Sequence, residues 1–368
     1  MADVEKFMSV EAGDIEKIMG VETGDIEAVM GVEYPASGLA WAGTTALIMG
    51  GNHFLVDTGA SRSINDIQYK TLTTDGNTAD WGDLSSAKQE SPGSGSNKSR
   101  IVYGGGRRYA ASNTFSLTEI DYMTVASAGT VGDAGDMEEG AHEGGNGGAS
   151  NGTLCFFVGG GGLDENMEQM TISSTSGSAD AGDLSEDSVG TVTTNGDSKF
   201  LVIGMGKDVP AGGKEDIDQH NFNTSANTTD YGNVATVGVG SSAGVSAVNK
   251  IVVAGGYIGT PTAYTAGTRM QFFPVASSAD GDSSDSADLV VAATHHAATS
   301  DGTRGEWYGG GASADDGFQQ NDIQKVTIAS LANASDIGDL TTVSTLDPNT
   351  WDDADSGGIK AAQAQTGT

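Results

Sequence analysis

Residues 53 to 63 read HFLVDTGASRS, and Asp57-Thr58-Gly59 after an apolar run can present a single carboxylate at the tip of a loop. Two copies of such a chain could bring two carboxylates together across a twofold axis. There they would share a proton and cleave an amide by general acid–base chemistry. A second set is the run SADGDSSDSAD at 278 to 288, where Asp280, Asp282 and Asp285 offer hard oxygen ligands suited to Ca2+. The Glu that closes a helix-loop-helix calcium site is missing from it. Gly206-Lys207 and Gly213-Lys214 lack the Ser or Thr and the spacing of a phosphate loop, and GVGSSAG at 238 to 244 has no crossover helix after it. The five histidines are scattered, so they are expected at the surface and form no metal set.

What these residues can do depends on the elements that carry them, and those elements repeat. One phrase reads IQYKTLTTDGNTADWGDL from Ile67, IDYMTVASAGTVGDAGDM from Ile120 and MEQMTISSTSGSADAGDL from Met167. It returns as IDQHNFNTSANTTDYGNV from Ile217 and IQKVTIASLANASDIGDL from Ile323, with a copy longer by two from Met270 to Leu289. Ahead of each phrase an apolar strand runs into glycine: ALIMGG, RIVYGGG, CFFVGGGG, FLVIGMG, IVVAGG and EWYGGG. Turn residues precede most of these strands, which marks a hairpin. The unit is strand, tight turn, strand ending in Gly-Gly, loop, strand, Asp-containing turn, strand. Four strands per repeat of about 50 residues predict a β-propeller.

Asp57 then lies in the variable loop after the first Gly-Gly strand. The matching loops begin GGGRRYAAS, GGGGLDENM, GMGKDVPAGG, GGYIGTPTAY and GGGASADDG, none with Asp-Thr-Gly. A retroviral-type aspartic protease also needs a second structural half behind that loop, which the repeat pattern does not supply. The motif is read as turn chemistry.

The first 33 residues follow another period, 11: VEKFMSVEAGD, IEKIMGVETGD, IEAVMGVEYPA. Asp14 and Asp25 stand where helix N-caps belong, with Gly20 and Gly31 where helices stop, so short helical steps are expected. Helices this short need a partner surface. Residues 1–35 are therefore read as an attachment segment, 36–345 as the propeller and 346–368 as a C-terminal tail.

Composition narrows the function classes. The net charge is −33, which repels nucleic acid and anionic membrane surfaces; it fits either an ordinary acidic, solvated surface or an adaptation to saline surroundings, where salt screens the self-repulsion. Cys155 is the only cysteine, inside LCFFV, and is read as core; no intrachain disulfide can form. The acidic start MADVEKFMSV lacks the pattern of a secretory signal, and no apolar run reaches membrane-spanning length. Synthesis in the cytoplasm without membrane insertion is expected.

The repeat unit resembles a kelch repeat: a strand ending in Gly-Gly, an apolar strand, then an aromatic followed by Leu. Trp81 and Leu84 hold the aromatic and Leu positions, while Ala134, Ala181, Tyr231 and Ile337 replace the Trp in other copies. The wording TIASLANASDIGDL and the leader IEKIMGVE resemble kelch-like virion proteins of tailed viruses. That resemblance implies an all-β, six-bladed propeller in a non-enzymatic virion protein without a cofactor. It would be a tail fibre or receptor-binding appendage docked through its N-terminus, or else a decoration protein of the capsid or tail. It further implies a homo-oligomer in the particle, other virion proteins as partners and a host receptor or glycan as ligand. The loops after the Gly-Gly strands vary most between copies, so recognition is expected there. Arg107, Arg108 and Tyr109, with Tyr257 and Tyr264, are the binding candidates, because Arg and Tyr dominate binding hot spots.

Overall fold

A strand sandwiched between neighbouring sheets buries both of its faces, so the repeated phrase must be read from both sides. The computed structural model describes residues 43–55, 60–88, 93–97, 99–110, 113–138, 147–160, 164–185, 191–194, 199–203, 216–234, 242–247, 250–260, 263–274, 284–294, 296–311, 319–330, 332–341 and 360–364. It also describes the short pieces 17–18, 21–22, 28–29 and 32–33. Among these residues six antiparallel sheets form the blades of a β-propeller.

Blade 2 shows the pattern. Its strands, from the axis outward, are Gly93–Ser96, Arg100–Gly104, Glu119–Thr124 and Val131–Asp136. Blades 3 to 6 repeat that order. Blade 1 is built differently. Its outer three strands are Thr45–Met49, Ala60–Thr71 and Ala79–Lys88, but its innermost strand is Lys360–Ala364. That strand pairs antiparallel with Thr45–Met49, from Lys360 opposite Met49 to Ala364 opposite Thr45. It touches the innermost strands of blades 2 and 6, which closes the ring. Residues that the sequence left in a tail thus supply a strand.

The core is six wedges, one between each pair of consecutive blades. Leu47, Met49, Ile67, Trp81 and Leu84 of blade 1 meet Ile101, Tyr103 and Met123 of blade 2. Ala46, Ile48 and Leu72 meet Ala297, Tyr308, Ile323 and Leu340 of blade 6. The first and last apolar residues of all six phrases are buried: Ile67 and Leu84, Ile120 and Met137, Met167 and Leu184, Ile217 and Val234, Met270 and Leu289, Ile323 and Leu340. Cys155 is buried in the wedge between blades 2 and 3, as expected, and burial pushes its thiol pKa up.

Where innermost strands crowd together near the axis, no side chain fits. A Cβ on Gly148 would lie 2.1 Å from the backbone nitrogen of Ser94 in the next blade. On the outer strands the glycine of the phrase has a different duty. Gly135 has a φ of +95°, and a Cβ there would lie 2.4 Å from the nitrogen of Gly177, in the outer turn of blade 3. Its N–H donates to Asp133 Oδ1 at 2.7 Å. The same Asp-x-Gly bond recurs at Asp180, Asp230 and Asp336, so these carboxylates are structural.

The N-terminal helical steps are corrected. Lys17–Ile18 pairs with Val21–Glu22, and Ala28–Val29 with Val32–Glu33, as antiparallel strands. No helix occurs among the described residues. Met19-Gly20 and Met30-Gly31, between these pieces in sequence, lie outside the described residues, and a Gly inside a helix would cost about 1 kcal/mol.

Candidate binding face

The second strands of all six blades end, and the third strands begin, at one face of the ring, because every blade runs the same way. In three blades they are drawn out into hairpins. In blade 1, Asn52–Leu55 pairs with residues 60–63. In blade 2, Arg107–Ala110 pairs with Asn113–Ser116. In blade 5, Tyr257–Thr260 pairs with residues 263–266.

Asp57 falls between the paired strands of the first hairpin and lies outside the described residues. The strands on either side of it, Asn52–Leu55 and residues 60–63, pair as an antiparallel hairpin of blade 1. Arg107, Arg108 and Tyr109 sit together on one strand, opposite Ser116, Phe115 and Thr114. Tyr257 and Tyr264 lie on the two strands of the blade 5 hairpin, opposite Ala266 and Gly259. Blades 2 and 5 are half a turn of the ring apart, so the two groups are separate patches on one face. Asp285 is exposed and stands opposite Gln271, whereas Asp280 and Asp282 lie outside the described residues. Among the described residues no three His, Cys, Asp or Glu are grouped to hold a metal.

Beneath this face lies a set of polar residues that the sequence did not single out. The second residue of every phrase is polar and buried: Gln68, Asp121, Glu168, Asp218, Gln271 and Gln324. Most of them latch a blade to the one before it. Thr341 N–H donates to Gln68 Oε1 at 2.9 Å, Glu138 N–H to Glu168 Oε2 at 2.9 Å and Ser185 N–H to Asp218 Oδ2 at 3.1 Å. Val291 N–H donates to Gln324 Oε1 at 2.9 Å. At Asp121 the latch is ionic, with Lys88 Nζ at 3.1 Å from Oδ2 and both side chains buried. The signal was in the aligned copies: Ile or Met followed each time by Gln, Asp or Glu. Asn227 and Asn333 add clips, accepting the N–H of Asp183 and of Asp288 at 3.2 Å each.

Two histidines depart from the surface expectation, since His220 and His296 are buried. His220 is the fourth residue of its phrase, on the face opposite Ile217, toward the wedge between blades 3 and 4. Its Nε2 lies 3.1 Å from the Thr224 carbonyl, and its ring packs on Phe156 and Phe200 at 5.0 and 5.2 Å. Desolvation by burial lowers its pKa, against a smaller opposing effect from Thr224. The unfolded chain therefore binds this proton more tightly than the folded one. The full contribution to stability is present above the unfolded value near 6.5 and is lost as pH falls below it. Acid titration of the unfolding free energy should show a shallower loss below pH 6.5 for His220→Gln than for the parent. Parallel curves would place the proton uptake elsewhere.

The six innermost strands read GSGS, GGAS, TVTT, AGVSA, AATS and KAAQA. They contain no Asp, Glu or His. Compared with protein-family models and with curated proteins, the sequence gives no match.

Proposed function

We propose that the protein is a non-enzymatic virion component of a tailed virus, a tail fibre or receptor-binding appendage. It docks onto other virion proteins through residues 1–35 and turns the hairpin face toward a host receptor or glycan. The observation that carries this reading is the contrast within each blade. The latched phrase keeps its spacing in five of six copies, whereas the Gly-Gly connections differ in length and in blades 1, 2 and 5 are drawn out into hairpins. A rigid ring bearing variable loops on one side is a binding scaffold. The kelch-like phrase and the repeated leader, through their resemblance to virion proteins, supply the setting. Axial strands free of carboxylates and imidazoles favour binding over catalysis.

Removing residues 1–35 is expected to leave a propeller with the parent's melting temperature that no longer joins the particle. Assembly assays on the truncated chain check this, and normal incorporation would refute docking through the leader. Copy number per particle separates the two virion roles. An appendage occurs at few copies on the tail, whereas a decoration protein covers the shell.

A further inference from the structure

Three turns between a first and a second strand share one arrangement of side chain and backbone. In blade 3, Asn151 Oδ1 accepts the N–H of Thr153 at 3.0 Å and of Leu154 at 2.8 Å. In blade 2, Asn97 Oδ1 accepts the N–H of Ser99 at 3.0 Å and of Arg100 at 2.9 Å. In blade 6, Asp301 Oδ1 accepts the N–H of Thr303 at 2.8 Å and of Arg304 at 2.7 Å. The next residue separates the three. It is Lys98 in blade 2 but glycine in the others, with φ of +82° at Gly152 and +83° at Gly302. Blade 3 holds an amide where blade 6 holds a carboxylate, on the same pair of donors.

An asparagine followed by glycine can react with its own backbone. The glycine nitrogen attacks the side-chain carbon Cγ, and that approach is least hindered where the next residue has no Cβ. Negative charge then develops on Oδ1. At Asn151 two backbone N–H groups already point at that oxygen, the arrangement that stabilises an oxyanion. Asn151 and Gly152 are half-buried and Thr153 is exposed, so water reaches the turn.

We propose that Asn151 is a self-modification site, where the folded turn promotes deamidation to aspartate. The Gly152 nitrogen gives its proton to solvent hydroxide and bonds to Cγ. The Cγ–Nδ2 bond breaks, and ammonia leaves with a proton taken from water. The product is a five-membered imide shared by Asn151 and Gly152. Water then opens it at one of two carbonyls. The Thr153 and Leu154 N–H groups favour attack at Cγ, so the Cγ–N bond breaks and the proton returns to the Gly152 nitrogen. An ordinary Asp-Gly linkage results, with one water consumed and one ammonia released. Opening at the main-chain carbonyl would instead leave isoaspartate, with the side-chain methylene inserted in the backbone. Asp301 shows that a carboxylate keeps both hydrogen bonds of this turn. Each conversion adds a negative charge to a chain already at −33, at the end of Leu154–Gly160 away from its Gly-Gly connection.

The test incubates the full chain at mildly alkaline pH, folded and in concentrated urea, and follows residues 97 and 151 by peptide mapping with mass spectrometry. Chromatographic standards distinguish aspartate from isoaspartate. Asn151 should convert about tenfold or more faster in the folded chain than in the unfolded one, since only the fold holds two donors on Oδ1. Aspartate should outweigh isoaspartate in the folded chain, while Asn97 keeps its amide over the same period. Asn151→Asp should keep the parent's melting temperature. Conversion that is no faster in the folded chain, or isoaspartate as its main product, overturns the proposal. So does equal conversion at Asn97, which would remove the role of Gly152. A clear fall in melting temperature for Asn151→Asp would show that the turn does not accept the product, and would overturn it as well.

Discussion

Deleting residues 360–368 is expected to collapse the ring rather than trim an end. Lys360–Ala364 is the innermost strand of blade 1, paired along its whole length with Thr45–Met49. Without it the backbone edge of Thr45–Met49 loses its partner, and the innermost strands of blades 2 and 6 lose the neighbour between them. Ala46, Leu47, Ile48 and Met49, all buried, would border an open seam. The loss should be on the order of 5 kcal/mol, which rivals the total stability of an ordinary domain, about 5–15 kcal/mol. Thermal unfolding should show a large drop in melting temperature or no cooperative transition. A synthetic peptide of residues 355–368 added in trans should restore part of it, because binding to the folded state alone stabilises by mass action. An unchanged transition in the truncated chain would mean that another segment closes the ring.

How much of this was legible in the sequence follows from where side chains are large. The second, third and outermost strands carry apolar anchors such as Ile67 and Leu84, and six copies of one phrase gave the number of blades. The innermost strands carry no such anchors. They must be small where backbones crowd together, as at Gly148 against Ser94, so KAAQA looked like a tail rather than a strand. The polar latches were hidden for a related reason. Gln68 and Asp218 sit in ordinary amphipathic strands when read alone, and only the packing of the next blade buries them. In the leader, an 11-residue period with Gly20 and Gly31 fits both helical steps and short hairpins, and the hairpin pairing of 17–18 with 21–22 decides between them there. The hairpin face was legible as variable length after Gly-Gly. The contact of strand Arg107–Ala110 with strand Ala60–Thr71 was not, because it depends on neighbouring blades.

Replacing Glu306 by Ala should destabilise the protein more than any other single side-chain truncation at the blade 6–blade 1 seam. Glu306, on the second strand of blade 6, is fully buried. Its Oε1 lies 3.3 Å from Lys70 Nζ of blade 1 and 2.5 Å from Arg304 Nη2, and its Oε2 accepts from Tyr308 Oη at 2.7 Å. Asp75 of blade 1 extends the network outward, 2.9 Å from Arg304 and 2.6 Å from Lys325. The exposed Asp75 pairs contribute little, since surface ion pairs are worth about 0–1 kcal/mol. At Glu306 the logic differs, because truncation leaves Lys70 buried with its main counter-charge gone. Desolvation already holds the pKa of Lys70 below its ordinary value, with Glu306 the largest effect opposing it. Breaking a buried pair from one side costs about 3–5 kcal/mol, whereas replacing both partners by apolar groups can be neutral. Glu306→Ala and Lys70→Met should therefore each lower stability steeply, and Lys70→Met/Glu306→Leu should recover part of the loss. Chemical denaturation of the four proteins measures the coupling. Additive single losses would show that the two side chains stabilise the seam independently, by packing alone. A coupled result would assign the ionic clasp to the seam where the last blade in sequence, blade 6, meets the first.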